Sequence, residues 1–167
     1  MGKYRFYHIS EKYIRFLYSG DKRVLHNKGQ RRPYVGIVLK VNSTDYFVPL
    51  ESPKPNHAKL RSGGPVLKLK GGNLGIIGFN NMIPVPSSAL IEFDFNDVED
   101  EKYRMLLINQ LDYCNDNREI IQHRASTTYH KAVSGNVPHY SKICCNFRKL
   151  EQMCRSYNPH HRRDRNK

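Results

Sequence analysis

Tyr34-Val35-Gly36-Ile37-Val38-Leu39-Lys40-Val41, Asn42-Ser43-Thr44-Asp45 and Tyr46-Phe47-Val48-Pro49-Leu50 form one continuous stretch whose reading decides the fold. The outer two pieces are rich in β-branched and aromatic residues, which pack well on a pleated surface. The middle piece is turn chemistry. The stretch therefore predicts a hairpin. Pro33 pins its start, because its fixed φ suits the edge of a strand and not its middle.

Working outward, residues 3–9 are short and aromatic and predict a first strand. Ser10 is a good N-cap for a helix over 11–19 with Tyr13, Phe16 and Leu17 on one face, and Gly20 suits its stop. Residues 21–33 are polar, basic and aperiodic and predict a loop; 52–64 predict a second, longer one. Residues 66–69 and 74–79 predict another hairpin across Lys70-Gly71-Gly72-Asn73. Residues 82–85 predict an edge strand that tolerates Pro84, and 91–95 one more. Beyond residue 100 the period changes. Tyr103, Leu106, Leu107, Gln110, Leu111 and Cys114 fit a helix that opens in acid, broken at residues 115–117. A helix follows over 118–131 with Ile120, Ile121 and Ala125 inward, then a loop over 134–141 and a helix over 142–157. Residues 158–167 (Asn-Pro-His-His-Arg-Arg-Asp-Arg-Asn-Lys) predict a basic, disordered tail. A strand-rich first half and a helical second half give an α+β fold: a compact single domain over 1–157, with a twisted antiparallel sheet surrounded by helices.

The chain has 28 Lys and Arg against 15 Asp and Glu, a formal net charge of +13. Such a field concentrates polyanions. No apolar run approaches the roughly 20 residues that span a bilayer, and the N-terminus has no apolar core of a secretory signal. Cys114, Cys144, Cys145 and Cys154 form no CxxC and have no His at zinc-finger spacing, so reduced thiols in a cytoplasmic protein are expected. Six acids, Glu92, Asp94, Asp97, Glu99, Asp100 and Glu101, fall in residues 90–101 without a Lys or Arg. The expectation is that this stretch faces away from any nucleic acid, as a solvated loop and helix start.

P-loop, GxGxxG, HExxH and GxSxG signatures are absent, and the few carboxylates give no expectation of a metal or other cofactor. What stands out is Leu50-Glu51-Ser52-Pro53-Lys54-Pro55-Asn56-His57, where a hydroxyl, an ammonium and an imidazole fall within six residues. Pro53 and Pro55 restrict that loop, and a rigid loop lowers the entropy cost of holding groups in place. RNA carries its own nucleophile, the 2′-OH. Its cleavage needs alignment, charge stabilisation and proton transfer, which Ser, Lys, Arg, Tyr and His supply without metal. Lys28, Arg31, Arg32, Lys54, Lys59 and Arg61 offer cations; Tyr13 and Tyr34 offer rings for bases or hydroxyls for phosphate. Taken alone, such a loop is more often a solvated turn, a Tyr on an amphipathic helix is more often core, and His57 is more often an exposed surface group. Composition and spacing stop at a basic RNA-binding protein with the groups of a metal-free ribonuclease.

Arg5-Phe6-Tyr7-His8-Ile9-Ser10 with Tyr13, Tyr34 to Leu39, and Tyr46-Phe47-Val48-Pro49-Leu50 followed by Ser52-Pro53-Lys54 and His57 occur in order. Leu74-Gly75-Ile76-Ile77, Asn81-Met82-Ile83-Pro84-Val85 and a helix with Tyr103, Leu106, Leu107, Asn109, Gln110 and Leu111 follow. This ordered set resembles the ToxN/AbiQ toxins of type III toxin–antitoxin systems. The resemblance implies a core akin to the Kid/MazF toxins. It implies a bacterial cytoplasmic endoribonuclease that cuts A-rich single-stranded RNA to 2′,3′-cyclic phosphate and 5′-OH ends. It further implies a pseudoknotted repeat RNA antitoxin that the toxin processes, closed ring-like protein–RNA assemblies, and abortive defence against phage. By position, Ser52 and Lys54 match the family's active-site serine and lysine, Tyr13 falls on a tyrosine, and Arg32 replaces a lysine. Glu51 departs from the expected threonine and puts a negative charge beside the phosphate site. His57 is assigned to proton transfer, and Arg31, Tyr34, Lys28, Lys59 and Arg61 to RNA binding. Two other classes stay open: a non-catalytic RNA-binding protein, which would have no cleavage for Ser52→Ala to abolish, and a small DNA-binding regulator, disfavoured because no basic recognition helix is evident.

Overall fold

The structure is a computed structural model and describes residues 3–61 and 63–160. The elements run β1 (Arg5–Ile9), α1 (Glu11–Gly20), β2 (Tyr34–Val41), β3 (Thr44–Glu51), β4 (Val66–Lys68), β5 (Ile76–Gly78), β6 (Ile83–Pro84), β7 (Leu90–Glu92), α2 (Glu101–Asp116), α3 (Arg118–Ser134), α4 (Pro138–Ile143) and α5 (Phe147–Ser156). All strands pair antiparallel in the order β4-β5-β3-β2-β1-β7, with β6 beside β3. This is the α+β architecture expected.

The deciding hairpin forms as β2 and β3, with Val41 opposite Thr44. Its turn is shorter than expected: only Asn42 and Ser43 lie between the strands, and Asn42 takes φ +54°. Asparagine tolerates that left-handed conformation better than most residues. Gly36 has a packing reason. A Cβ there would lie 2.3 Å from Cδ1 of Phe47, its cross-strand partner, so the ring occupies the space of the missing side chain.

The helices close over the sheet through rings. Tyr46 meets Phe147 edge-on with centroids 5.8 Å apart, and Tyr129 stacks on Phe147 at 5.6 Å. Glu151 of α5 is buried among them and accepts from the hydroxyls of Tyr46 and Tyr129, both at 2.7 Å. Two donors on one carboxylate satisfy a group that is costly to bury alone. Burial and Glu151 together push the Tyr46 hydroxyl pKa well above its ordinary value.

Several elements differ from expectation. Ser10 caps α1 by accepting from the Tyr13 N–H, but Ile14 takes the inward place given to Phe16. Ile120 is 48% exposed, while Ile121 and Ala125 are buried as expected. The loop expected over 134–141 holds α4, because proline at the first turn of a helix loses no hydrogen bond and has the right φ. The helix expected over 142–157 is interrupted at Cys144–Asn146, where the Cys145 N–H turns away to donate to Asn80 O. Strand β5 is shorter than expected, and β7 ends at Glu92. Residues 161–167 of the expected tail lie outside the described residues. Before them, Tyr157 packs on Tyr13 and Phe16, and the Pro159 carbonyl accepts from the Lys12 ammonium. Among the described residues no helix is long and apolar enough to cross a membrane.

Gly36→Ala should destabilise the protein by about 2–3 kcal/mol, the upper range for overpacking a fixed core. Urea denaturation checks this as a lowered midpoint with unchanged slope.

Candidate functional site

β3 is held on both edges near its end: Tyr34 lies opposite Pro49 on one side, and on the other Leu50 lies opposite Ile77 and Glu51 opposite Ile76. The approach there is close. A Cβ on Gly75, which has φ +89°, would sit 2.0 Å from the Glu51 carbonyl oxygen, so this strand end requires glycine beside it. The chain then leaves the sheet as Ser52-Pro53-Lys54 and turns through a 3₁₀ segment, Pro55–Lys59, where a plain loop was expected.

His57 sits inside that turn at 2% exposure, not on the surface as expected for such a residue. Its Nδ1 accepts from the Lys54 backbone N–H at 3.1 Å, and its own N–H donates to the Lys54 carbonyl at 3.0 Å. An accepting Nδ1 places the proton of the neutral ring on Nε2. Nε2 faces Glu51 Oε2 at 3.7 Å, and Lys54 Nζ lies 3.8 Å from the same oxygen. Glu51 thus sits between Lys54 and His57 and faces into the loop.

The second contributor is the segment 21–33, aperiodic but heavily tied. Asp21 accepts from the Arg23 guanidinium at 2.9 and 3.1 Å and from the Asn146 N–H at 2.6 Å. Burial opposes ionisation of Asp21, but the Arg23 and Asn146 hydrogen bonds outweigh it and hold its pKa below the ordinary value. Asn27 is buried; its side-chain amide donates to Ile9 O at 2.6 Å, while its backbone carbonyl accepts from the backbone N–H groups of Arg31 and Arg32. Sequence periodicity cannot report such side-chain ties.

These two segments form one wall of a cleft of about 740 Å³, within the roughly 300–1,000 Å³ common for ligand sites. Lys28, Arg31, Arg32 and Ser52 line that wall. Arg32 is only 8% exposed; its Nε donates to His26 O at 2.9 Å, and its Nη1 has no partner. The Lys28 ammonium pKa is lowered, chiefly by the charge of Arg32, then by burial and by Lys54. Lys28, Arg31, Arg32 and Lys54 therefore act as one cationic field, and mutual repulsion favours any anion that enters it.

The rest of the cleft lining overturns an expectation. Asp97, Glu99 and Asp100, expected to face away, line the same cleft with Phe93 and Tyr103. β7 pairs with β1 and so brings the chain after Glu92 alongside the site. Asp100 also caps α2 by accepting from the Tyr103 N–H at 3.0 Å. His8 on β1 lines the cleft too, with its ring edge-on to Phe93 at 5.0 Å. Burial lowers the His8 pKa below its ordinary value. Sequence reasoning quoted His8 only as part of a strand. Its signal is the two-residue period of β1, which puts His8 on the same face as Phe6, and both rings meet Phe93.

The other candidates are not brought together with these. Tyr34 is wholly buried and its hydroxyl has no partner, so its ring is not offered to a base, contrary to expectation. Tyr13 is also fully buried; its hydroxyl donates to Pro84 O, and its ring packs on Tyr157. Lys59 and Arg61 are exposed on the loop beyond His57. Among the described residues, no three His, Cys, Asp or Glu side chains gather as ligands for one metal ion.

A hydroxyl-bearing loop beside buried and exposed cations is an arrangement that can hold a phosphodiester. The comparisons give the family. The family model "Toxin ToxN, type III toxin-antitoxin system" matches residues 5–155. Endoribonuclease ToxN of Bacillus thuringiensis subsp. kurstaki is 32% identical over 92% of this chain and 84% of its own. Endoribonuclease AbiQ of Lactococcus lactis subsp. lactis is 32% identical over 92% and 88%. A solved type III toxin, described as selectively inhibited by a non-coding RNA pseudoknot, superposes with TM-score 0.82 at 30% identity, over 93% of this chain and 98% of that one. The solved AbiQ structure, described as a lactococcal anti-phage endoribonuclease, superposes with TM-score 0.80 at 30% identity, over 92% and 97%. The chain belongs to the ToxN family, toxins of type III toxin–antitoxin systems whose curated relatives are endoribonucleases.

Gly75→Ala forces both a positive-φ alanine and a clash with the Glu51 carbonyl. It should cost at least about 2 kcal/mol, read as a lowered urea midpoint.

Proposed function

We propose that this protein is the toxin of a bacterial type III toxin–antitoxin system, a metal-independent endoribonuclease cutting A-rich single-stranded RNA in the cytoplasm. The observation that carries the reading is the convergence of Ser52, Lys28, Arg31 and Arg32 on one cleft, with Lys54 in the same field. In the reaction the 2′-oxygen bonds to phosphorus and the bond from phosphorus to the 5′-oxygen breaks. The 2′ proton leaves, and the 5′-oxygen takes up a proton. The products are a 2′,3′-cyclic phosphate and a 5′-OH.

Lys54 and the Arg32 guanidinium, which lines the cleft, stabilise the charge that gathers on the phosphorane oxygens. Ser52 orients the 2′-OH or a phosphate oxygen, since a serine hydroxyl is a poor base. The sequence assigned proton transfer to His57, but its Nδ1 is taken by the Lys54 N–H and its Nε2 faces Glu51. His57 is better placed as the residue that positions Lys54. The proton acceptor is His8, which lines the cleft and which burial keeps neutral near pH 7. Tyr13 supports the site through the packing of α1 on β6 and does not touch phosphate. Lys28, Arg31, Lys59 and Arg61 bind the RNA backbone. The inhibitor is a pseudoknotted repeat RNA that the toxin itself processes. Toxin and RNA join in closed ring-like assemblies, with a role in abortive infection of phage-infected cells. Residues 1–157 form the enzyme domain, and 158–167 extend its basic field.

Purified protein freed of RNA should cleave A-rich single-stranded RNA in EDTA and leave cyclic phosphate ends. Ser52→Ala should lose about 10²-fold or more in rate, the scale of one oriented donor, while its RNA dissociation constant changes less than about threefold. Tight RNA binding with no cleavage by the wild type would return the reading to a non-catalytic RNA-binding protein.

A second outcome concerns His8. A lowered pKa means that the basic form persists below pH 6.5, so the acid limb of kcat/KM should fall below that value. His8→Ala should remove the limb and cost about 10²–10⁴-fold in rate, and His57→Ala should leave the limb in place. A limb that disappears with His57 instead would reverse the two roles.

A further inference from the structure

The cleft is lined by two chemically opposite sets of side chains. Lys28, Arg31 and Arg32 belong to one; Asp97, Glu99, Phe93 and Tyr103 belong to the other. A site built only to hold a polyanion gains nothing from carboxylates, which repel phosphate at close range. We propose that the acidic and aromatic wall is the base-reading half of the cleft. It stacks one nucleobase of the RNA and accepts hydrogen bonds from that base's exocyclic amino group. This rests on the ribonuclease reading above and names what that site selects.

The chemistry separates the bases. Adenine, cytosine and guanine each carry an amino group that donates to a carboxylate. Uracil presents carbonyl oxygens at its exocyclic positions, which a carboxylate repels. The rings needed for stacking are fixed. Phe93 is held edge-on by His8 at 5.0 Å, by Phe95 at 5.0 Å and by Phe6 at 5.7 Å. Tyr103 stands at the start of α2, 36% exposed. Single-stranded RNA is read in this way, by unstacked bases placed on rings with their edges hydrogen-bonded. The cationic lining independently points to a ligand. Arg32 is more than nine-tenths buried, lines the cleft, and leaves Nη1 without a partner. With phosphate held at these cations, the acids and rings of the same cleft are left for the base.

Asp97 and Glu99 are both exposed, and neither caps a helix, so Asp97→Ala/Glu99→Ala removes the acceptors without touching the cap at Asp100. The test uses non-cleavable 2′-fluoro hexamers of cytidine and of uridine, which differ little in stacking, at one fixed salt concentration. The wild type should bind the cytidine hexamer about tenfold more tightly than the uridine hexamer, the scale of one good base contact. The double variant should bring the two within about threefold, with uridine binding tightened. Equal affinities in the wild type would overturn the proposal. So would a variant that tightens both hexamers equally, because the acids would then only repel phosphate. Binding selectivity is read without turnover. A selective protein that cuts no RNA keeps this subsite and loses the enzyme, whereas a cutting protein with no selectivity keeps the enzyme and loses the subsite.

Discussion

β3 is hydrogen-bonded along both edges, to β2 on one side and to β5 and β6 on the other. The loop that carries Ser52 and Lys54 hangs from that constraint. A strand paired on both edges cannot shift register without breaking two ladders, so its last residue is fixed in space. Ser52 is one residue beyond that end, and Lys54 three. The close approach of Gly75 to Glu51, and of Phe47 to Gly36 in mid-strand, shows how little slack the strand has. Site loops gain accuracy from such anchoring, because the rigid element removes most of the conformational freedom the loop would otherwise have to lose.

The cationic wall needs a different device, since no strand runs through residues 21–33. Buried polar side chains do the work. Asn27 ties the loop to β1, Asp21 ties it to the start of α5, and the Asn81 amide donates to Arg23 O at 2.9 Å. These bonds hold Lys28, Arg31 and Arg32 near one another against their repulsion, whose sign is visible in the lowered Lys28 pKa. The free protein therefore stores unfavourable electrostatic energy that an anion releases. That is the expected relation between a binding site and stability: the residues that bind best cost most when nothing is bound.

The strands were legible because alternation and β-branching are local and strong, and the β2–β3 hairpin came through with only its turn shortened. The helical half was legible where its starts were marked, by the cap at Ser10 and the acids before α2, and misread at Pro138, where a helix starts inside the loop expected over 134–141. Ser52, Lys54 and Arg32 were within reach because the resemblance to a family marks them by position. His8 and the acidic wall were not. A block of like charge in a linear sequence has no direction; it faces solvent by default. Its direction here comes from the pairing of β7 with β1, a contact between residues more than 80 apart in the chain. The burial of Tyr13, Tyr34 and His57 was hidden for the same reason, because a polar-tipped ring reads alike whether its body is in the core or in a groove.

Glu51 is the departure that bears most directly on the proposed activity, and its geometry sets what it can do there. Its carboxylate lies 3.8 Å from Lys54 Nζ, with the lysine side chain 55% exposed. An ion pair so long and so wet contributes no more than about 1 kcal/mol. A phosphate that also meets Arg32, Lys28 and Arg31 outcompetes it easily. Once Lys54 has moved to the phosphate, Glu51 is left facing the Nε2 proton of a buried histidine, so its charge keeps a partner through the exchange. The pairing therefore reads as a resting place for the lysine between substrates. The negative charge beside the phosphate site weakens the field only until RNA arrives.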